Sequence, residues 1–163
     1  MRAWVLVINA ASTLAMAGLI WLVQLVHYPT FSFIHEPDFV SFAVLHQMRI
    51  SIVVVPLMLL ELITTVLLLR RPHPAFTGNL ARAAAACLVV AWLSTFLWQA
   101  PIHQQLLQGR SATLITDLIE GNWLRTIAWS ARAILVCFAL QRCVQSASEN
   151  LAAPTLPGRI PSQ

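Results

Sequence analysis

Apolar residues in this chain do not alternate with polar ones; they come in four long runs. The first is Ala3–Val26. The second is Ile50–Leu69, closed by Arg70-Arg71-Pro72-His73-Pro74. The third is Ala83–Ala100, closed by Pro101, and the fourth is Trp123–Leu140, closed by Gln141-Arg142. Runs of about 18–24 residues match a hydrocarbon core of roughly 30 Å at about 1.5 Å of rise per residue. The pattern predicts an all-α, integral membrane four-helix bundle over residues 1–145, with helices at about 3–28, 38–70, 82–103 and 122–142. Residues 146–163 are polar and proline-bearing and read as a disordered cytoplasmic tail.

The second helix starts before its apolar run. Glu36-Pro37-Asp38 is a helix start signal, with acids and a proline where the first N–H groups lack partners. From Asp38 to Leu69 the helix would be about 48 Å long, with its first turns against the bundle or among headgroups and Pro56 as a kink. Tyr28–His35 reads as a short aromatic interfacial loop. Leu114, Ile115, Leu118 and Ile119 suggest a short amphipathic helix within 104–121. The first run outlasts a signal-peptide core, so it reads as an uncleaved first membrane helix.

Composition sharpens this picture. Of 163 residues, 58% are hydrophobic and 10% charged, where a soluble domain carries about 25% charged. Mean hydropathy is +0.74. All ten basic residues are arginines, scattered at helix ends rather than gathered in a patch, so nothing points to nucleic acid. Arg70, Arg71 and Arg82 flank one loop, while the other two loops carry Glu36, Asp38, Asp117 and Glu120. The positive-inside rule then places both termini in the cytoplasm (N-in/C-in) and the protein, multi-pass, in an inner membrane. Cys87, Cys137 and Cys143 are odd in number and form no CxxC, so they give no disulfide framework.

Polar residues inside such runs are the candidate chemistry. Asn122, Arg125, Trp129 and Arg132 share one helical face by their 3, 4 and 3 spacing. An arginine in hydrocarbon costs roughly 2.5–3.5 kcal/mol, so that face turns inward. With alternating chain direction, Gln24, His27, His46, Arg49, Gln99, His103, Asn122 and Arg125 fall at one depth near the outer end. Trp21, Trp98, Trp123 and Trp129 are available as walls for a pocket there. Glu61 and Arg132 lie deeper and suit a buried structural ion pair joining the second and fourth helices.

Three readings follow, and whether the protein is an enzyme stays open. In the first, His27, His46, His103 and Arg125 are catalytic groups, and Gln24, Arg49, Gln99, Asn122 and Trp129 bind a small lipophilic, quinone- or phenol-like ligand; histidine serves as a base and Arg125 holds an anionic oxygen. In the second, the polar cluster only packs helices, and the protein is an accessory subunit or homo-oligomer. In the third, His27, His46 and His103 hold a metal ion or haem, although no motif requires a cofactor.

His27-Tyr28-Pro29, Pro101-Ile102-His103 and Asn122-Trp123-Leu124-Arg125-Thr126 carry a resemblance. The chain loosely resembles the anthrone-oxygenase-like family of small four-helix membrane proteins, most of unknown function. The first segment is similar to a His-Pro in that family and the third to its Arg-Thr signature. Tyr28 separates His27 from Pro29, and His103 stands where the family has asparagine. The resemblance implies four helices over 1–142 and oxidation of a phenolic polycycle without a tightly held cofactor.

Overall fold

The computed structural model describes residues 2–152 and contains four long helices, each long and apolar enough to cross a membrane. They are α1 (Ala3–Phe33), α2 (Glu36–Arg70), α3 (Gly78–Leu106) and α4 (Ala112–Ala152). Side chains that turn outward are apolar: Ile52 is 73% exposed and Leu97 74%, with Leu25, Val26, Ile63, Val89, Leu93 and Ile127 similarly open. A water-facing surface does not carry such a continuous apolar band; a lipid-facing one does. The chain is a multi-pass, all-α membrane protein.

The helices pack in the order α2, α1, α4, α3, with α1 and α4 in the middle. The α1–α2, α1–α4 and α3–α4 seams are closely packed, whereas α2 and α3 touch sparsely. The bundle is therefore a ring with one loose seam. Two apolar clusters fill it. One joins Met16, Ile20, Phe31, Phe39, Met58, Ile102, Leu118 and Trp129 toward the end where α1 finishes and α2 begins. The other joins Leu6, Ala10, Leu68, Phe76, Ala84 and Val136 toward the opposite end.

Every helix runs further than its apolar stretch suggests. The segment Tyr28–Phe33 continues α1 instead of forming a loop, and Tyr28 and Phe31 are buried while only Phe33 projects outward. Pro29 causes no break, because the turn before it is widened. Over Val23–His27 the helix takes a π turn, in which Tyr28 N–H bonds to Val23 O. The same device recurs in α3 at Thr95–Gln99, two residues before Pro101, with Ala100 N–H on Thr95 O. A proline lacks the N–H that an α turn would direct at the carbonyl four residues back and its ring crowds that carbonyl; a wider turn relieves both.

In α4 the stretch that reads as a separate short helix, Leu114–Ile119, is the start of the long one. Its buried Ile115 and Leu118 stay in helical register with Asn122 and Arg125, so burial carries the helix through Gly121. At its other end α4 continues through residues 146–152, where the sequence suggests a disordered tail. Residues 145–152 contain no helix breaker, and the next proline in the sequence is Pro154. The rest of the expected tail, 153–163, lies outside the described residues.

Gly121 lets α3 and α4 approach closely. A Cβ there would overlap the Trp98 indole and lie 3.1 Å from Gln99 Nε2. Trp98 is half exposed and can turn away; Gln99 is buried and cannot. Gly121→Ala is expected to destabilise the bundle by about 1–3 kcal/mol, the usual range for overpacking, read as a lower midpoint in detergent-titrated unfolding.

Candidate functional site

Two polar layers cross the bundle, and they differ in how completely they are satisfied. The deeper one centres on Glu61 and Arg132, both wholly buried. Arg132 Nε donates to Glu61 Oε1 at 3.0 Å. Thr13 Oγ1 donates to the same oxygen at 2.7 Å, and Trp129 Nε1 donates to Oε2 at 2.8 Å. Arg132 Nη1 donates to the Ala84 carbonyl at 2.6 Å and Nη2 to Thr65 Oγ1 at 2.7 Å. Asn9 Nδ2 reaches Thr64 Oγ1 at 2.8 Å and Thr65 Oγ1 at 3.1 Å. All four helices contribute, and every guanidinium nitrogen has a partner. Such a layer fixes helix register and offers nothing to a ligand. Asn9, Thr13, Thr64 and Thr65 are members that the sequence pattern does not reveal.

The second layer lies where α1 ends and α2 begins. His27 Nε2 and His46 Nδ1 share a hydrogen bond at 2.6 Å. Tyr28 Oη and His103 Nε2 share another at 3.0 Å. The His46 and His103 rings stack with centroids 5.3 Å apart. Arg125 Nη1 donates to Tyr28 Oη at 3.5 Å, and its guanidinium lies 5.4 Å from the centroid of Trp129. Each π turn serves this layer: one precedes Tyr28 and the other carries Gln99 and leads to His103.

Beside these side chains, at the loose α2–α3 seam, is a cleft of about 180 Å³. Ile50, Val54, Val55, Met58 and Phe96 form its apolar walls, and Tyr28, His46, Gln99, His103 and Arg125 its polar end. Four buried atoms at that end have no hydrogen-bond partner: His46 Nε2, Gln99 Oε1, Gln99 Nε2 and Arg125 Nε. Leaving such a group unpaired costs about 1–3 kcal/mol; the deeper layer pairs its groups, while Trp92 Nε1, Ser94 Oγ and Asn122 Oδ1 are single unpartnered atoms away from the cleft.

Several sequence-selected residues stand elsewhere. Gln24 and Asn122 meet, with Asn122 Nδ2 donating to Gln24 Oε1 at 2.9 Å; Gln24 Nε2 donates to the Ile119 carbonyl at 3.1 Å. They tie α1 to α4 beside the cleft and do not line it. Arg49 is exposed and lines a separate outer groove with His27, Phe42, Leu45, His46 and Ile50. It lies on the face of α2 that opens to this groove and not on the face that lines the cleft. Trp21, Trp98 and Trp123 do not wall the cleft. Trp21 and Trp123 pack edge to face at the surface, and Trp98 sits on the α3–α4 groove. Trp129 is the internal tryptophan, and it links the layers by facing Arg125 and bonding to Glu61.

The three imidazoles gather, and a hydrogen bond occupies one nitrogen of each. Nitrogens of His27 and His46 face each other at hydrogen-bond distance, and His103 Nε2 faces a phenol. Neither a shared ion nor a haem iron fits between the first pair. Among the described residues no group of three histidines, cysteines or acids is placed to hold a metal ion. Tyr28, which reads from the sequence as an interfacial aromatic, is the residue that joins His103 to Arg125; spacing does not reveal its position beside a π turn.

Comparison with protein-family models, with curated proteins and with solved structures gave no significant match.

Proposed function

We propose that the α2–α3 cleft binds a small lipophilic molecule carrying an acidic O–H, of phenol or quinol type, and holds it as the anion. One observation carries this reading: unpartnered buried atoms of a base, a cation and an amide, on His46, Arg125 and Gln99, lie around one apolar-walled cleft. The apolar walls take the ring system. Arg125 offers a charge-assisted N–H to the oxygen, and His46 an acceptor for the proton. The loose seam between α2 and α3 gives such a molecule a way in from the bilayer, where it is concentrated. The anthrone-oxygenase resemblance agrees in ligand class. An accessory-subunit role suits the deeper layer but gives no reason for His46, Gln99 and Arg125, each with an unpartnered atom, to converge on one cleft.

The experiment is binding of 2-naphthol to the full chain in phosphatidylcholine nanodiscs. Val54→Trp fills the cleft from α2 and leaves both hydrogen-bonded layers intact. We expect saturable binding to the parent protein and none above the lipid background for Val54→Trp; equal uptake by both overturns the reading.

We further propose the N-in/C-in orientation in an inner membrane, supported by Arg70, Arg71 and Arg82 at one end and the acids at the other. Reporter fusions at Arg71 and Gly109 are expected to report cytoplasm and exterior respectively, and a cytoplasmic signal at Gly109 reverses the assignment.

A further inference from the structure

We infer that His46 and His27 form a proton relay from the cleft, through the wall of the bundle, to the outer groove; this rests on the ligand class proposed above. His46 lines both spaces, the cleft on one side and the groove on the other. His27 lines the groove and not the cleft. The two rings are joined directly, with Nε2 of one and Nδ1 of the other 2.6 Å apart. His46 is 7% exposed, and its other nitrogen, Nε2, is a buried atom without a partner. His27 is half-buried and so reaches the outside.

The tautomers follow from this arrangement. His46 carries its proton on Nδ1 and donates it to His27 Nε2, which leaves His46 Nε2 as a lone pair toward the cleft. His27 then carries its own proton on Nδ1. When a phenol occupies the cleft, its O–H bond breaks and an N–H bond forms at His46 Nε2. The Nδ1–H of His46 breaks as an N–H forms at His27 Nε2. The Nδ1–H of His27 is passed to water in the groove. The phenolate oxygen remains beside Arg125, so the cleft gains an anion next to a cation and the proton leaves with no residual charge on either ring. Return of a proton from the groove to His27 Nδ1 reverses each transfer: the His46 Nε2 proton goes back to the phenolate oxygen, the ligand leaves as the phenol, and both starting tautomers are restored.

The surroundings keep the proton from lodging on either ring. On the cleft side the charged or titratable neighbours are Arg125 from α4, Tyr28 from α1 and His103 from α3. Arg125 opposes a lasting positive charge on His46. On the groove side the neighbour is Arg49 of α2, exposed and cationic, which opposes a lasting positive charge on His27. Neither ring is a resting place for the proton. His103 is not part of the relay, because its Nε2 is occupied by Tyr28 Oη.

The test uses the full chain in phosphatidylcholine nanodiscs, mixed rapidly with 2-naphthol in weak buffer. Bound naphtholate is followed by its absorbance and the released proton by an indicator dye. 2-Methoxynaphthalene, which has no proton to give, reports whether the cleft is intact. The parent protein is expected to bind both probes, form naphtholate and release one proton per naphthol. His27→Ala is expected to bind 2-methoxynaphthalene normally but to form naphtholate about 100-fold more slowly, a typical general-base contribution, and millimolar imidazole is expected to restore the rate. A His27→Ala rate equal to the parent's overturns the relay, as does a slowed rate that imidazole leaves unchanged. Binding of naphthol without naphtholate formation overturns the relay while leaving the lipophilic cleft standing. Failure of both probes to bind overturns the two together.

Discussion

Arg132→Met is expected to lower the stability of the bundle by about 3–5 kcal/mol, the range for removing one partner of a buried ion pair. The loss is large because Glu61 stays behind, wholly buried, with two donors in place of three. Arg132 also holds the Ala84 carbonyl and Thr65 Oγ1, so α3 and α2 lose contacts to α4 at the same time. Glu61→Leu should have a comparable effect by stranding the guanidinium. The double variant, with both charges gone, should be clearly more stable than the two losses added together predict, because no uncompensated charge remains. Unfolding in mixed micelles, followed by tryptophan fluorescence, checks all three. Additive losses would mean that the pair does not act as a unit.

Arg125→Met should weaken 2-naphthol binding by about 10- to 100-fold, corresponding to the 1.5–3 kcal/mol of a hydrogen bond to a charged group. Arg125 is the cation at the cleft, and its Nε has no partner within the protein. Its other contacts are modest: a 3.5 Å bond to Tyr28 and the face of Trp129. Methionine keeps the packing against Trp129, so stability should change little and binding of 2-methoxynaphthalene should persist. Loss of both probes to the same degree would mean that Arg125 shapes the cleft and does not recognise an oxygen anion. Titration calorimetry separates the outcomes.

The polar residues of the chain thus divide by how they are satisfied, and that division is only half legible in the sequence. The four spans are plain, because apolar runs of that length and hydropathy are rare outside membrane helices. Spacing alone puts Arg125 and Arg132 on one face and requires that face to turn inward. What spacing does not show is which polar groups are occupied. Thr64 and Thr65 bond to carbonyls at Leu60 and Glu61, as threonines in apolar helices commonly do, so their part in the Arg132 layer looks like ordinary back-bonding. Gln24 and Asn122 have the pattern of ligand-binding residues and instead hold one another. Tyr28 has the pattern of an interfacial aromatic and is 4% exposed, because the π turn before Pro29 carries the helix on and rotates it inward. Arg49 follows His46 by three residues, close enough to suggest a shared face, yet α2 meets α1 on one side of His46 and opens to the groove on the other.

The cleft itself depends on helix order. Four helices can be read from the sequence, but not the ring α2, α1, α4, α3, and it is this order that leaves α2 and α3 as loosely joined neighbours. The same order brings a residue from each helix, Tyr28, His46, His103 and Arg125, to the edge of the gap.

Whether a phenol occupies this gap is decided by photolabelling with a diazirine-bearing naphthol in nanodiscs, followed by peptide mapping. Labels are expected on cleft residues such as Val54, Met58 and Phe96, displaced by excess 2-naphthol. Labels spread over the lipid-facing surface, or concentrated at Leu93, Leu97 and Leu124 in the α3–α4 groove and not displaced, would contradict a binding site between α2 and α3.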